Sequence, residues 1–587
     1  MASGTSENIF GGSFLLAPIC SQAQYTPEEM SDETKAIGEA ARDFVTGEVL
    51  PKDAEIEKLQ PELSKQLLQT AGELGLLCAE IPEEYEGMDL DKKTTLVILE
   101  ELGKQASFSV SYGAHTGIGT LPIVYFGTPE QKAKYLPKLA SGEMLAAYAL
   151  TEPGAGSDAM NSKTTAVLDG DTWVLNGSKM WITNAGFADV FIVFAKVDGR
   201  KFSAFIVEKG DAGFSTGAEE HKLGIKGSST RALVLDNVRI PKDRLLGEIG
   251  RGHRIAFGIL TIGRFKLGAG CTGTGKMVLE YTLKYTAERH QFNKSINNFG
   301  LVQKMLSDIG TRIFVGEAMN YRTIGYINDG MAAIDWNEEK AAQRKMDIMD
   351  EFVMEASMTK IWGSEALFYT ADDAVQCFGG YGFSAEYPPE RIYRDNRINR
   401  IFEGTNEINR MIAAGALFKR IGNGSIPAPK STENVPVAAN FSGPLASLKA
   451  AVELSKRQVA YASATGIELC GQKLIENQEA SARVADMLTE IYAMESAVVR
   501  ADKMIEAGHR WAELAKDFAT VYVNESWMKV QANAKLLLAE VLEGDALASA
   551  LKDLAAFDGF IPTASSKLRG RIVAQFIEKG VYPIAQY

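Results

Sequence analysis

Thr164-Thr165-Ala166-Val167-Leu168-Asp169-Gly170-Asp171-Thr172-Trp173-Val174-Leu175-Asn176-Gly177 reads as a β-prone run, a tight turn, a second β-prone run and another turn pair. Further short runs of the same kind follow at Val190 to Ala195, Phe202 to Val207 and Arg231 to Leu235. Together they predict a small antiparallel sheet domain over 148–246. Both flanks keep a different period. Over 25–147 apolar residues recur at three and four, as in Leu96, Val97, Leu99 and Leu102, with breaks at Pro82 and Gly127-Thr128-Pro129. Thr26-Pro27-Glu28-Glu29 supplies an N-cap, a first-turn proline and a capping-box glutamate ahead of this stretch. Over 247–420 the helical period returns, interrupted around Asn293 to Gly300 and Gly379 to Pro389. The expected fold is mostly α with a small β domain: a helical N-terminal domain, an antiparallel middle domain and a helical bundle. Residues 1–24, rich in Gly, Ser and Ala, read as a flexible leader. Residues 421–444 are dense in Gly, Asn, Ser and Pro and read as a linker, and 445–587 as an additional C-terminal helical domain.

The 587 residues correspond to roughly four compact units at ~150 residues each. Apolar residues make up 46% and charged residues 23%, which supplies a sizeable core. A net charge of −13 repels phosphate backbones, so no nucleic-acid partner is expected. The five cysteines and five histidines are scattered, which excludes a disulfide framework and leaves no cluster spaced to bind a metal. The apolar stretch Phe14 to Ile19 is short and broken by Pro18. With neither an export signal nor a membrane span supported, a cytoplasmic location of bacterial type is expected.

Two nucleotide-binding lookalikes fail on context. Gly270-Cys271-Thr272-Gly273-Thr274-Gly275-Lys276 has P-loop spacing, but Met277 stands where Ser or Thr should bind magnesium, and no strand precedes it; helix packing through small residues is the better reading. Gly154-Ala155-Gly156-Ser157-Asp158-Ala159 satisfies GxGxxA, but the following residues are β-patterned rather than helical. The loop Thr151-Glu152-Pro153-Gly154-Ala155-Gly156-Ser157-Asp158 could let backbone amides approach a flat or anionic ligand, or be an ordinary surface turn. Trp181-Ile182-Thr183-Asn184 offers the same ligand an aromatic face and a hydroxyl, or holds a core tryptophan. In Phe402-Glu403-Gly404-Thr405, apolar neighbours would desolvate Glu403 and raise its pKa toward neutrality, as a general base requires. Thr405 can then cap a helix whose free N–H groups suit an anion. The competing reading is a structural glutamate in a helix-end turn. The arginines at 391, 394, 397 and 400 read as a salt-bridged face.

In this order, Tyr148-Ala149-Leu150-Thr151-Glu152-Pro153-Gly154-Ala155-Gly156-Ser157-Asp158, Trp181-Ile182-Thr183-Asn184, Arg289-His290-Gln291-Phe292, Gln376-Cys377-Phe378-Gly379-Gly380-Tyr381-Gly382 and Phe402-Glu403-Gly404-Thr405 resemble the acyl-CoA dehydrogenases over about residues 30 to 420. The extra C-terminal region looks most like the very-long-chain branch. The resemblance implies a non-covalent FAD flavoprotein that introduces an α,β double bond into fatty acyl-CoA thioesters in β-oxidation. Glu403 would be the base, and its backbone N–H would help hold the thioester carbonyl. Tyr148, Leu150, Thr151, Gly156 and Ser157, with Trp181, Ile182 and Thr183, match flavin contacts. Arg289, Gln291 and Phe292, with Gln376, Gly379 and Gly380, match residues that reach FAD across a subunit interface, which implies a homodimer. Phe299, Gly300, Thr405 and Glu407 match further cofactor positions, although many relatives carry glutamine where this chain has Gly300. Ser157, Thr261, Arg264 and Gly404 match substrate-side positions, although many relatives have Asp or Asn at the place of Thr261.

Some members place the base immediately before an arginine of the bundle; here that position is Gly263, before Arg264, so the base is not there. His115-Thr116-Gly117-Ile118-Gly119 lies in a segment resembling the acyl-pocket floor, where glycines either leave room for a longer tail or pack helices. The implied partners are a fatty acyl-CoA, an electron-transferring flavoprotein and, through 445–587, a membrane surface. An acyl-CoA oxidase of the same fold is the first rival reading and a non-catalytic scaffold the second; intact Glu403 and a complete 151–158 loop argue against the scaffold.

Overall fold

The computed structural model describes residues 9–427 and 438–584. The centre of the predicted linker, 428–437, and the first eight residues of the predicted leader lie outside this range. The rest of the leader is not loose. Ser13–Leu15 forms a 3-10 turn, Phe14 is buried edge-on against Tyr492, and the Gly11 and Gly12 N–H groups donate to Glu351 and Glu355. Small residues here permit close approach: a Cβ on Gly11 would stand 2.1 Å from the Glu351 carbonyl oxygen. The capping box at Thr26 and Glu29 forms as expected but closes a 3-10 turn, Pro27–Glu29. The first α-helix, Asp32–Phe44, is capped by Ser31 instead.

Four long helices make the bundle: Gly252–Glu288, Gly300–Ala332, Val353–Phe378 and Asn406–Gly422. The first is buried almost all round, and its glycines let neighbours come close. A Cβ on Gly273 would collide with the Glu100 carbonyl, and one on Gly363 would stand 3.2 Å from Gly268 Cα. The P-loop lookalike therefore sits mid-helix, and its lysine, Lys276, pairs with Glu100 and Glu317.

The sheet domain is mostly antiparallel, with two parallel joints. Its strands are β1 Ala146–Ala149, β2 Thr165–Asp169, β3 Thr172–Thr183, β4 Val190–Val197, β5 Lys201–Glu208, β6 Phe214–Glu219, β7 Thr230–Pro241 and β8 Leu245–Leu246. The order is β6-β7-β3-β2-β4-β5-β8, and β1 and β2 both pair parallel with β4. Asn176-Gly177 is a bulge rather than a turn. β3 runs through it with a register shift against β7, and Gly177, at φ +150°, lies where a Cβ would strike Thr164. A second shift, between Lys179 and Ile182, reorients the strand end that carries Trp181.

The longer C-terminal helices are Ala446–Cys470, Gln478–Glu506, Ala512–Val541, Gly544–Leu554 and Ser565–Lys579. They share one apolar core with the bundle, in which Ile309, Phe314 and Leu417 pack with Leu488, Tyr492, Phe518 and Phe576. Among the described residues no helix is long and apolar enough to cross a membrane.

Candidate active site

Glu403 follows the short turn Arg397–Arg400 and precedes the helix Asn406–Gly422, which Thr405 caps by accepting the Ile408 N–H. Its backbone is left-handed, at φ +57°, and Gly404 follows at φ +78°. A non-glycine residue held there costs on the order of 1–3 kcal/mol, so the surroundings must fix it. They do so through its carbonyls. Lys360 Nζ donates to the Gly404 carbonyl at 2.9 Å and to Asn406 Oδ1 at 2.7 Å. Asn409 Nδ2 reaches the carbonyls of Gly404 and Thr405 at 2.8 and 3.0 Å, and Arg264 Nε donates to the Glu403 carbonyl at 3.4 Å.

The carboxylate is treated differently. Its Oε2 is buried and has no hydrogen-bond partner among the described residues. It occupies the space that a side chain at position 263 would fill: a Cβ on Gly263 would stand 2.6 Å from Oε2. Burial pushes its pKa up to about 7, against the pull of Arg264, Lys360 and Lys266. Desolvation also lowers Arg264 to about 10 and Lys360 to about 8. A carboxylate half-ionised at neutrality, unpartnered and facing a cleft is equipped to take a proton from a bound ligand.

That cleft runs between two walls rich in small residues. Gly263, Gly270 and Thr274 of the helix Gly252–Glu288 face Gly103, Ala106, Gly113 and Gly117 of the N-terminal domain, and Glu403 and Thr183 lie on the same cleft. The two glycines weighed at the acyl-pocket floor have different work. Gly117 lines the cleft, whereas Gly119 packs, since a Cβ there would stand 2.7 Å from that of Ala146. His115, just before them in the chain, is buried and structural; it accepts the Ala146 N–H at Nδ1 and contacts the Leu139 carbonyl through Nε2, and burial lowers it to about 4.

Beside Thr183, Trp181 is 54% exposed at φ +62°, so it is not a core tryptophan. Ile182 points into the sheet core, leaving only its backbone to face a ligand. The loop from Thr151 is anchored by Glu152, which pairs with buried Lys179 at 2.7 Å and accepts the N–H groups of Lys163 and Thr164. Gly154 and Gly156 stand with open space on their side-chain faces, and Ser157 is exposed. Leu150 is buried, and Tyr148 is buried with its hydroxyl donating to the Ala256 carbonyl at 3.3 Å.

A second cleft gathers Arg289, Gln291, Gly379 and Gly380 with Tyr285, Tyr381 and Tyr387. Phe292, 86% exposed, leans edge-on against Phe299 beside it. Gly300 opens its helix, and Glu407 is exposed in the first turn of Asn406–Gly422. Thr261 is buried and donates to the Phe257 carbonyl of its own helix, so its hydroxyl is already engaged. Sequence reasoning missed Lys360, Lys266 and Asn409. The available signal was a lysine set in an otherwise apolar helical run, as in Phe265-Lys266-Leu267 and Thr359-Lys360-Ile361.

Comparison with known proteins agrees with this architecture part by part. Residues 31–143, 147–238 and 250–418 match the family profiles described as the N-terminal, middle and C-terminal domains of acyl-CoA dehydrogenase. Residues 455–555 match a further profile described as "Acyl-CoA dehydrogenase, C-terminal domain". The chain is 47% identical over 554 residues, 93% of each chain, to a "Probable acyl-CoA dehydrogenase" of Bacillus subtilis (strain 168). It is 34% identical over 496 residues to the human "Very long-chain specific acyl-CoA dehydrogenase, mitochondrial", covering 78% of this chain and 73% of that one. An acyl-CoA dehydrogenase of Bacillus anthracis, crystallised in complex with FAD, superposes with a TM-score of 0.94 at 44% identity, over 98% of this chain and all of the other. From the N-terminal helices to the added C-terminal domain, the chain belongs to the acyl-CoA dehydrogenase family.

Proposed function

We propose that the protein is an FAD-dependent dehydrogenase that forms the α,β double bond of fatty acyl-CoA thioesters, with Glu403 as the base. The observation that carries this reading is the unpartnered Glu403 carboxylate, left-handed in its backbone and seated against Gly263 on the cleft. The residues present fit the flavin. The backbone amides of the loop at 151–157, the exposed Trp181 and the Thr183 hydroxyl would hold it beside Glu403. Arg289, Gln291, Gly379 and Gly380 would hold the cofactor of a second copy, making the working unit at least a dimer. Bound there, FAD supplies the hydride acceptor.

Glu403 then takes the α-proton of the thioester. Its N–H, which donates to no backbone carbonyl among the described residues, would serve the thioester carbonyl as a donor as negative charge develops there. The cleft between small-residue walls suits a long acyl tail, and an electron-transferring flavoprotein is the acceptor that the family resemblance supports. Peripheral membrane contact through the C-terminal helices is a further reading from the same resemblance, tested by vesicle flotation. The protein should purify yellow with about one FAD per chain, and anaerobic palmitoyl-CoA should bleach it. Folded, colourless protein that cannot be reconstituted with FAD would overturn the proposal. Peroxide formed without any electron-transferring flavoprotein would assign it to the oxidases.

A further inference from the structure

Lys266 follows Gly263 by three residues on the helix Gly252–Glu288, so the two share a face, and both line the cleft with Glu403. The Lys266 ammonium lies near the opposite wall, where a Cβ on Gly117 would be 3.9 Å from Nζ. It donates to Glu80 Oε2, while Glu80 Oε1 accepts the ammonium of Lys92. All three residues are buried. Burial alone would raise Glu80, but Lys266 and Lys92 hold it down at about 2, so it stays ionised. One carboxylate thus serves two ammonium groups, and the cluster carries one positive charge in excess. Nearby on the same cleft, Glu403 is a carboxylate with an oxygen that no donor reaches.

We propose that Lys266 is a positioning residue for the base: tied with Lys92 to the single carboxylate of Glu80, it leaves one uncompensated charge in the cleft wall that favours the ionised form of Glu403. The inference rests on the reading of Glu403 as base. Glu403 is faced by Arg264 and Lys266 from the helix Gly252–Glu288, by Lys360 from Val353–Phe378 and by the Tyr148 phenol from β1. Arg264 faces Asp350 in turn, and Glu80 and Lys92 face the phenols of Tyr112 and Tyr125. Arg264 and Lys360 also hold the carbonyls of the Glu403 turn, so replacing either would move the base as well as its charge. Lys266 makes no such bond, and Lys92 does not line the cleft.

The test uses the holoenzyme and its Lys266→Met, Lys266→Arg and Lys92→Met variants. Two quantities are followed from about pH 5 to 9: the rate of anaerobic flavin reduction by palmitoyl-CoA, and the infrared titration of the Glu403 carboxyl in the resting protein, isolated by subtracting Glu403→Gln. In Lys266→Met both midpoints should rise by about one pH unit, making reduction about tenfold slower on the acid side with little change on the alkaline plateau. Lys266→Arg should restore the wild-type midpoint. Lys92→Met, acting from outside the cleft, should shift it the same way by less, and decides the question alone if Lys266→Met fails to fold. Midpoints within about 0.2 unit of wild type in both Met variants, or a rate loss uniform in pH, would overturn the proposal. An infrared midpoint that moves as expected in a protein that no acyl-CoA bleaches would sustain the electrostatic role and instead defeat the assignment of the reaction.

Discussion

Glu495, at the seam between the bundle and the C-terminal helices, accepts the Lys456 ammonium at 2.8 Å and the Arg322 guanidinium at 3.0 Å, whereas Glu403, in the cleft, keeps a buried oxygen that no donor reaches. Burial acts on both and would raise either; at Glu495 the two cations reverse it, and at Glu403 the surrounding cations fall short. The seam repeats its pattern at Arg500, fully buried and bonded to Glu28 and Glu317, so that it ties the N-terminal segment, the bundle and the C-terminal domain together. Satisfied charges hold a structure in one arrangement. An unsatisfied one is kept only where the surroundings can bear its cost and chemistry needs it.

The widest way to break this contrast is to remove the seam. A chain ending near Ile421 would expose Ile309, Phe314 and Leu417 and strip Arg500 from the buried Glu317 and the half-buried Glu28. It should be recovered only as aggregate, judged by soluble yield and circular dichroism; a soluble, yellow, active truncation would show the C-terminal domain to be an accessory. In the cleft, Glu403→Gln should slow flavin reduction by at least ~10²–10⁴-fold while keeping the fold. Wild-type reduction should rise with pH up to about 7 and then level, because the base must be ionised. The sign for stability is opposite. A carboxylate whose folded pKa lies above its unfolded value binds more protons when folded, so its contribution falls as pH rises from about 4.3 toward 7. Glu403→Gln should therefore match or exceed wild type in thermal stability at pH 8.

Arg500→Met tests the seam at a single residue. It leaves Glu28 and Glu317 without their shared cation, at a cost of ~3–5 kcal/mol in urea unfolding, with flavin reduction unchanged in the molecules that stay folded. A loss under about 1 kcal/mol would mean that the seam is held by its apolar core alone.

How much of this was legible follows from how local each feature is. The β domain showed itself because alternation and turn pairs are short-range; the helical flanks showed themselves by period. The burial of the Glu403 carboxylate was legible in its apolar neighbour Phe402, although Gly263 and Arg264, which flank it in space, come from another helix. Lys360 and Asn409, which hold its turn, were not, since Lys360 arrives from another helix and Asn409 acts through backbone carbonyls. Asn176-Gly177 misled because the dipeptide suits a bulge as well as a turn, and only pairing with β7 decides. The leader misled because its order comes from Glu351, Glu355 and Tyr492, more than three hundred residues away.

The smallest expected effects come from one substitution made in both regions. Gly310 of the helix Gly300–Ala332 faces Phe576 at the seam, where a Cβ would stand 2.2 Å from the ring. Gly263 faces Glu403, where a Cβ would stand 2.6 Å from Oε2. At Gly310 a packed aromatic must yield, so Gly310→Ala should cost ~1–3 kcal/mol of stability and leave flavin reduction alone. At Gly263 the atom met is the end of a side chain with nothing bonded to it, so the carboxylate moves aside and the helix gains up to ~1 kcal/mol from losing a glycine. Stability should hold or rise while reduction slows by ~10–100-fold, because the base no longer sits where the α-proton is presented. Melting curves and anaerobic reduction rates on the two variants separate the accounts. If Gly263→Ala melts lower and reduces flavin at the wild-type rate, that glycine serves helix packing like Gly310 and does not seat the base.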